Sequence, residues 1–258
     1  MDKASAQRVI GATCAICFIP VSVDVYRQDK ERTALNIVGT GFLVRPTTVI
    51  TNRHVILAIE DAQASLGVTD DELYVCFCHP TKEGLQEEYC SIKYYSILRS
   101  ASPRVDEALD IGFVDFEPHD KKAFEEKCRP LEVVDRCEPN IGEPVAVCGY
   151  PYGATALRTL SRRFYRFGPI VQQGYVSAIA PFHNARSEAI EQLLLDTRTA
   201  EGMSGAPVVR QSDGLAIGVH WGGIEATLAL AVPLDKRRLD EWVASHEQEH
   251  AKLGEGDG

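Results

Sequence analysis

Long apolar runs are missing from this chain, and so is any surplus of positive charge. No stretch of the 258 residues approaches the ~18 consecutive apolar residues that a membrane-crossing helix needs, so no membrane partner is expected. Lys and Arg number 27 against 37 Asp and Glu, giving a net charge of −10 and a pI near 5.2. That acidic balance disfavours nucleic acid and anionic surfaces as partners. Low-complexity linkers and internal repeats are also absent.

A zinc-finger pattern is lacking as well. Cys14 and Cys17 have metal-ligand spacing, but no second Cys or His pair completes a site. Most of the eight cysteines, including Cys76 and Cys78 in LYVCFC and Cys148 in PVAVCGY, sit in apolar, strand-like runs where a thiol acts as a small hydrophobe. No metal and no cofactor are expected, and the chain reads as reduced and cytoplasmic. A secretory leader is disfavoured too. Lys3 and Arg8 precede the apolar VIGATCAICFIPVSV, but Pro20 interrupts it and no A-x-A-like cleavage site follows. Asp24 and Tyr26 continue an alternating pattern, so a barrel strand is expected there.

What is present is a series of short β-branched runs: IVGTGFLV, TVITNRHV, ELYVCFC, IGFVDFE, EPVAVCGY, GPIVQQGYVSAI, APVV and LAIGVHW. Such spacing indicates an all-β sandwich or barrel. Composition changes at EPHDKKAFEEKCRPLEVVDR, 117–136, a charged stretch suited to connecting two β units. The expected units are 1–120, a connection over 121–136, a second unit over 137–250 and a flexible tail at 251–258. Asp235 is placed to cap a terminal helix, KRRLDEWVASHEQEH, with Leu239, Trp242 and Val243 on one face.

Three residues could together perform acyl transfer by serine, which needs a hydroxyl, a base, a carboxylate that fixes the base, and donors for an oxyanion. Ser204 lies in EGMSGAPVV between Gly202 and Gly205, which allow positive φ and close approach. His54 closes TVITNRH, and Asp110 opens the apolar DIGFV; Asp106 is a nearby competitor for the carboxylate. Taken singly, each has a bland reading as a turn, strand-end or capping residue.

Read together, these segments resemble chymotrypsin-fold serine proteases, closest in flavour to the trypsin-like domains of HtrA-like bacterial proteases, over about residues 9–245. GTGFLV with VITNRHV resembles the family's histidine motif and DIGFV its aspartate motif. GEPVAVCGYPYG, GYVSAI and GMSGAPVV resemble its G-x-P-x-G, GIVSAI and GNSGGPLVN stretches, and GVHWGG its V-S-W-G strand. The order His, Asp, Ser also matches, whereas other serine hydrolase folds order the triad differently.

The resemblance implies two antiparallel six-stranded β-barrels with a C-terminal helix, His54 and Asp110 on the first and Ser204 on the second. His54 would be general base and acid, Asp110 would hold its tautomer, and Ser204 would attack. Gly202, Met203 and Ser204 would supply the oxyanion hole. Arg198, Thr199, His220, Trp221 and Gly222 would line the substrate pocket. Arg198 at its base would favour an acidic side chain, unless it points away to pair with Asp196 or Glu201.

Departures from the family also matter. Met203 replaces the Asp that pairs with a newly cut N-terminus in secreted relatives, so activation by clipping is not expected. Ala206 replaces a Gly, a small change, and no PDZ domain is expected after the terminal helix. A protease without that switch calls for control by a regulatory protein partner, with a protein or peptide as substrate. The basic RTLSRRFYRFG, 158–168, reads as a rim loop that is either solvated or docks a partner. Two other functions stay open: a binding or scaffold module on a protease fold, and an esterase-like serine hydrolase.

Overall fold

The computed structural model describes residues 1–28, 34–80, 90–101, 109–151, 168–180, 191–224 and 227–254. Its strands close into two six-stranded antiparallel barrels. The first contains β1 (Thr13–Phe18), β2 (Asn36–Arg45), β3 (Thr48–Thr51), β4 (Leu73–Pro80), β5 (Cys90–Ala101) and β6 (Gly112–Phe116), in the order β1-β2-β3-β6-β5-β4. The second contains β7 (Pro144–Gly149), β8 (Ile170–Ala180), β9 (Gln192–Asp196), β10 (Pro207–Arg210), β11 (Ala216–Ile224) and β12 (Leu228–Pro233), in the order β10-β11-β12-β9-β8-β7. Closure leaves neither sheet with an unpaired outer strand. Phe42, Phe77, Phe113 and Phe116 fill the first interior, and Leu193, Leu195, Met203 and Val208 the second.

Five α-helices accompany the barrels among the described residues: α1 (Lys3–Ala12), α2 (Val23–Gln28), α3 (Arg53–Leu66), α4 (Lys121–Glu125) and α5 (Lys236–Gly254). Two of them correct the N-terminal expectation. The VIGA of the expected strand belongs to α1, and Asp24 and Tyr26 lie in α2. Helix formers fill KASAQRVIGA, and Asp2 caps it by accepting from the Ser5 amide at 2.7 Å. Only Thr13–Phe18 is strand, buried along its whole length. TVITNRHV is likewise strand only to Thr51. Beyond it, Val55, Ile56, Ile59 and Ala62 fall on one helical face and are buried.

The terminal helix is capped as expected, with Asp235 Oδ1 accepting from the Arg238 amide at 2.9 Å. Leu239, Trp242 and Val243 are buried beneath it. It runs to Gly254, into the stretch expected to be a flexible tail, whose last residues, 255–258, lie outside the described part. His246 of this helix is buried against the first barrel, its Nε2 2.9 Å from Asp115 Oδ2, while Thr48 donates to Asp115 Oδ1 at 2.7 Å. Cys14, Cys17, Cys76, Cys78, Cys128, Cys137 and Cys148 are buried free thiols. Burial pushes Cys128, Cys137 and Cys148 up to about 12, so they pack as hydrophobes.

Candidate active site

Asn52 and the start of α3 bring His54 to Asp110. A helix start leaves amides without intrahelical partners and carries partial positive charge, which suits a carboxylate. Asp110, two residues before β6, fills that place: its Oδ1 accepts from the His54 amide at 2.9 Å. Its Oδ2 lies 2.5 Å from His54 Nδ1. An ionised carboxylate can only accept, so the ring hydrogen sits on Nδ1 and Nε2 is left bare on an exposed ring. Asn52, fully buried, donates from Nδ2 to the Asp110 carbonyl at 2.8 Å and fixes the backbone behind the carboxylate. Asp106, the competing carboxylate, lies outside the described residues.

Ser204 is half-buried in the turn that enters β10. Gly202 and Gly205 on either side have φ of +90° and +86°. A Cβ on Gly205 would stand 1.9 Å from the Thr40 carbonyl, so glycine alone lets the turn seat against β2. Thr40 holds that turn twice: its amide donates to Ser204 O at 2.7 Å, and its hydroxyl donates to Gly202 O at 2.7 Å. The same hydroxyl accepts from the Tyr150 amide at 3.1 Å. A Cβ on Gly39 would meet both Val55 Cγ2, at 2.6 Å, and Ser204 O, at 3.2 Å, so the serine turn lies beside the first turn of α3. The Ser204 hydroxyl makes no hydrogen bond to His54 among the described residues. In substrate-free enzymes that bond commonly tightens only on substrate binding.

The amides of Gly202 and Ser204 donate to no acceptor among the described residues, whereas that of Met203 donates to Ala200 O at 3.1 Å. Met203 is fully buried, packed with Val147, Ala206 and Val208. An apolar anchor thus stands where secreted relatives are expected to use an ion pair.

The expected pocket residues fall in different surroundings. Arg198 is exposed and pairs with neither Asp196 nor Glu201. Thr199 is half-buried, its Oγ1 3.3 Å from where a Gly223 Cβ would stand, and nothing would lie within 4 Å of a Cβ on Gly222. Trp221 forms a bulge in β11 and packs partly buried on the core. His220 is only 2% exposed, so its ring stands behind the surface. β10 pairs with β11 only as far as Val219, so the edge of β11 beyond His220 has β12 on one side and no strand on the other among the described residues. The basic stretch 158–168 lies outside the described residues except for Gly168.

The sequence does not mark Thr40 and Asn52 as candidate site residues, although both stand inside motifs that carry the family resemblance, GTGF and TNRHV. Thr40 lies on β2 and Asn52 just past β3, and only the three-dimensional arrangement shows that Thr40 turns toward the second barrel and Asn52 back toward Asp110.

Paired barrels with a His–Asp couple on one and a glycine-flanked serine turn docked from the other define the class of chymotrypsin-fold, trypsin-like peptidases. The family model described as a trypsin-like peptidase domain matches residues 39–219, and the chain belongs to that family. Among solved structures, the chain is similar to Rv3671c from M. tuberculosis H37Rv, crystallised as a serine-to-alanine mutant in the inactive form. The TM-score is 0.54 at 15% identity, covering 94% of this chain and 90% of that one, a likeness of fold. No curated protein matches the sequence.

Proposed function

We propose that the chain is a serine endopeptidase that cleaves peptide bonds through an acyl-enzyme. The observation that carries this reading is the doubly engaged Asp110, with one oxygen 2.9 Å from the His54 amide and the other 2.5 Å from its Nδ1. That arrangement selects the tautomer whose Nε2 can act as a base. Nε2 takes the Ser204 proton as Oγ attacks the scissile carbonyl carbon. The Gly202 and Ser204 amides receive the oxyanion, a role supported by their having no acceptor among the described residues. Nε2 then gives the proton to the departing amine, and the acyl-enzyme forms. Water, deprotonated by the same nitrogen, cleaves the ester and restores Ser204.

The peptide runs along the open edge of β11 at 221–224, paired as an added strand. Thr199, Trp221 and Gly222 border its side-chain pocket. Arg198, exposed and unpaired with Asp196 or Glu201, favours an acidic side chain there. The buried free thiols support work in a reducing, cytoplasmic setting.

A peptide-library digest by wild type and Ser204→Ala tests the reading. New termini, enriched after Asp or Glu, are expected with wild type alone. Turnover of esters without peptides would identify an esterase, and no turnover of either would leave a binding module. Cleavage after small apolar residues would remove the role given to Arg198.

A further inference from the structure

A trans peptide unit is planar, so a carbonyl held on one side turns the following N–H to the other. This rule accounts for the nucleophile turn one peptide at a time. Thr40 Oγ1 holds the Gly202 carbonyl at 2.7 Å, and the Met203 N–H turns away to Ala200 O at 3.1 Å. The Thr40 amide holds the Ser204 carbonyl at 2.7 Å, and the Gly205 N–H turns to His220 O at 2.8 Å. Between them lies the peptide joining Met203 to Ser204. Its carbonyl accepts from the Ala206 amide at 2.9 Å and stands 3.1 Å from His220 Nδ1. Its N–H is the Ser204 amide, which has no acceptor among the described residues.

We propose that His220 is a positioning residue for the oxyanion site: by donating Nδ1–H to the Met203 carbonyl, it keeps the Ser204 N–H aimed at the substrate's carbonyl oxygen. The proposal rests on the peptidase reading above. His220 is well placed for this role, because its backbone brackets the same turn, its own amide donating to Ala206 O at 2.8 Å. Burial pushes the imidazole down to about 4, against the opposing effect of the Met203 and Gly222 backbone; nearby His54 lowers it further. The ring is therefore neutral above that pH and carries a single N–H. A carbonyl only accepts, so that hydrogen sits on Nδ1. Nε2 is left as a buried lone pair with no partner among the described residues. An apolar side chain would fill the space without that desolvation cost, so packing alone does not explain a histidine here.

The unmodified protein provides the first test. Proton–nitrogen correlation spectra of the His220 ring should show the Nδ1–H tautomer, and an Nε2–H tautomer would overturn the proposal. The second test compares wild type, His220→Leu and His220→Asn, each checked for folding by circular dichroism. Fluorophosphonate labelling of Ser204 and peptide turnover are then measured. Loss of the donor in His220→Leu should lower kcat and labelling rate about 10- to 100-fold, with KM within about 3-fold of wild type. In His220→Asn the Nδ2 donor replaces Nδ1–H, and most of the rate should return. A His220→Leu variant as fast as wild type contradicts the proposal, as does a raised KM at unchanged kcat, which would mean that His220 touches substrate. A wild type that takes no label defeats the peptidase reading instead, and the tautomer alone then judges the contact with Met203. The tautomer likewise decides if the variants fail to fold.

Discussion

Three hydrogen bonds run from Thr40 on the first barrel to Gly202, Ser204 and Tyr150 of the second. Thr40→Val keeps the shape and removes the hydroxyl, which strands the Tyr150 amide and leaves the Gly202 carbonyl unheld. Each buried group left without a partner costs about 1–3 kcal/mol, so the urea midpoint should drop measurably. An unchanged midpoint would show that the hydroxyl does not join the barrels. Gly205→Ala should be harsher. Its Cβ would lie 1.9 Å from the Thr40 carbonyl, at a φ of +86° that L residues avoid. A loss of about 3 kcal/mol or more is expected, together with loss of Ser204 labelling. His54, Asp110 and Ser204 stand out in the sequence as candidate site residues because each lies in a short motif of distinctive residue types. Thr40 does not, because nothing local distinguishes it from other threonines on strands.

Elements were read best where period and length agreed. β2, β4, β6, β7, β8, β10 and β11 coincide with apolar runs of the sequence, and α5 with its capped, one-sided pattern. The sequence does not mark α1 and α3 as helices. Their apolar residues adjoin strand residues without an intervening turn signal, so the run looks continuous until packing splits it. α3 matters most for the site, because its first turn provides the amide that Asp110 caps. α5 matters for stability. Its His246 contact with Asp115 is buried, with side-chain exposures of 1% and 10%, whereas Arg45 and Asp240 meet in the open at 44% and 66%. Removing one partner of a buried pair costs about 3–5 kcal/mol, and removing one of an exposed pair less than about 1. His246→Ala should therefore lower the unfolding midpoint far more than Asp240→Ala. Equal effects would mean that α5 is not held through Asp115.

For the whole molecule, the buried histidine also predicts a pH dependence. His220 titrates near 6.5 when unfolded and at about 4 when folded. Between those values the unfolded chain binds the extra proton, so stability rises with pH across the window. The full value is present above pH 6.5 and is lost as pH falls toward 4, a change of up to about 3 kcal/mol. His220→Leu should flatten that part of the stability profile measured by denaturant unfolding, and an identical profile would contradict the burial of a neutral ring. The two barrels themselves were legible from the order of the motifs. The bonds that dock the serine turn on the first barrel were not, since they join residues as far apart as Thr40 and Ser204. The central claim is that Ser204, activated by His54 and Asp110, is the nucleophile. Intact-protein mass spectrometry after fluorophosphonate treatment tests it most directly. One adduct on Ser204 is predicted for wild type, none for Ser204→Ala, and labelling slowed by about 10⁴-fold or more for His54→Ala. An unmodified wild type, or an adduct that persists in Ser204→Ala, would contradict it.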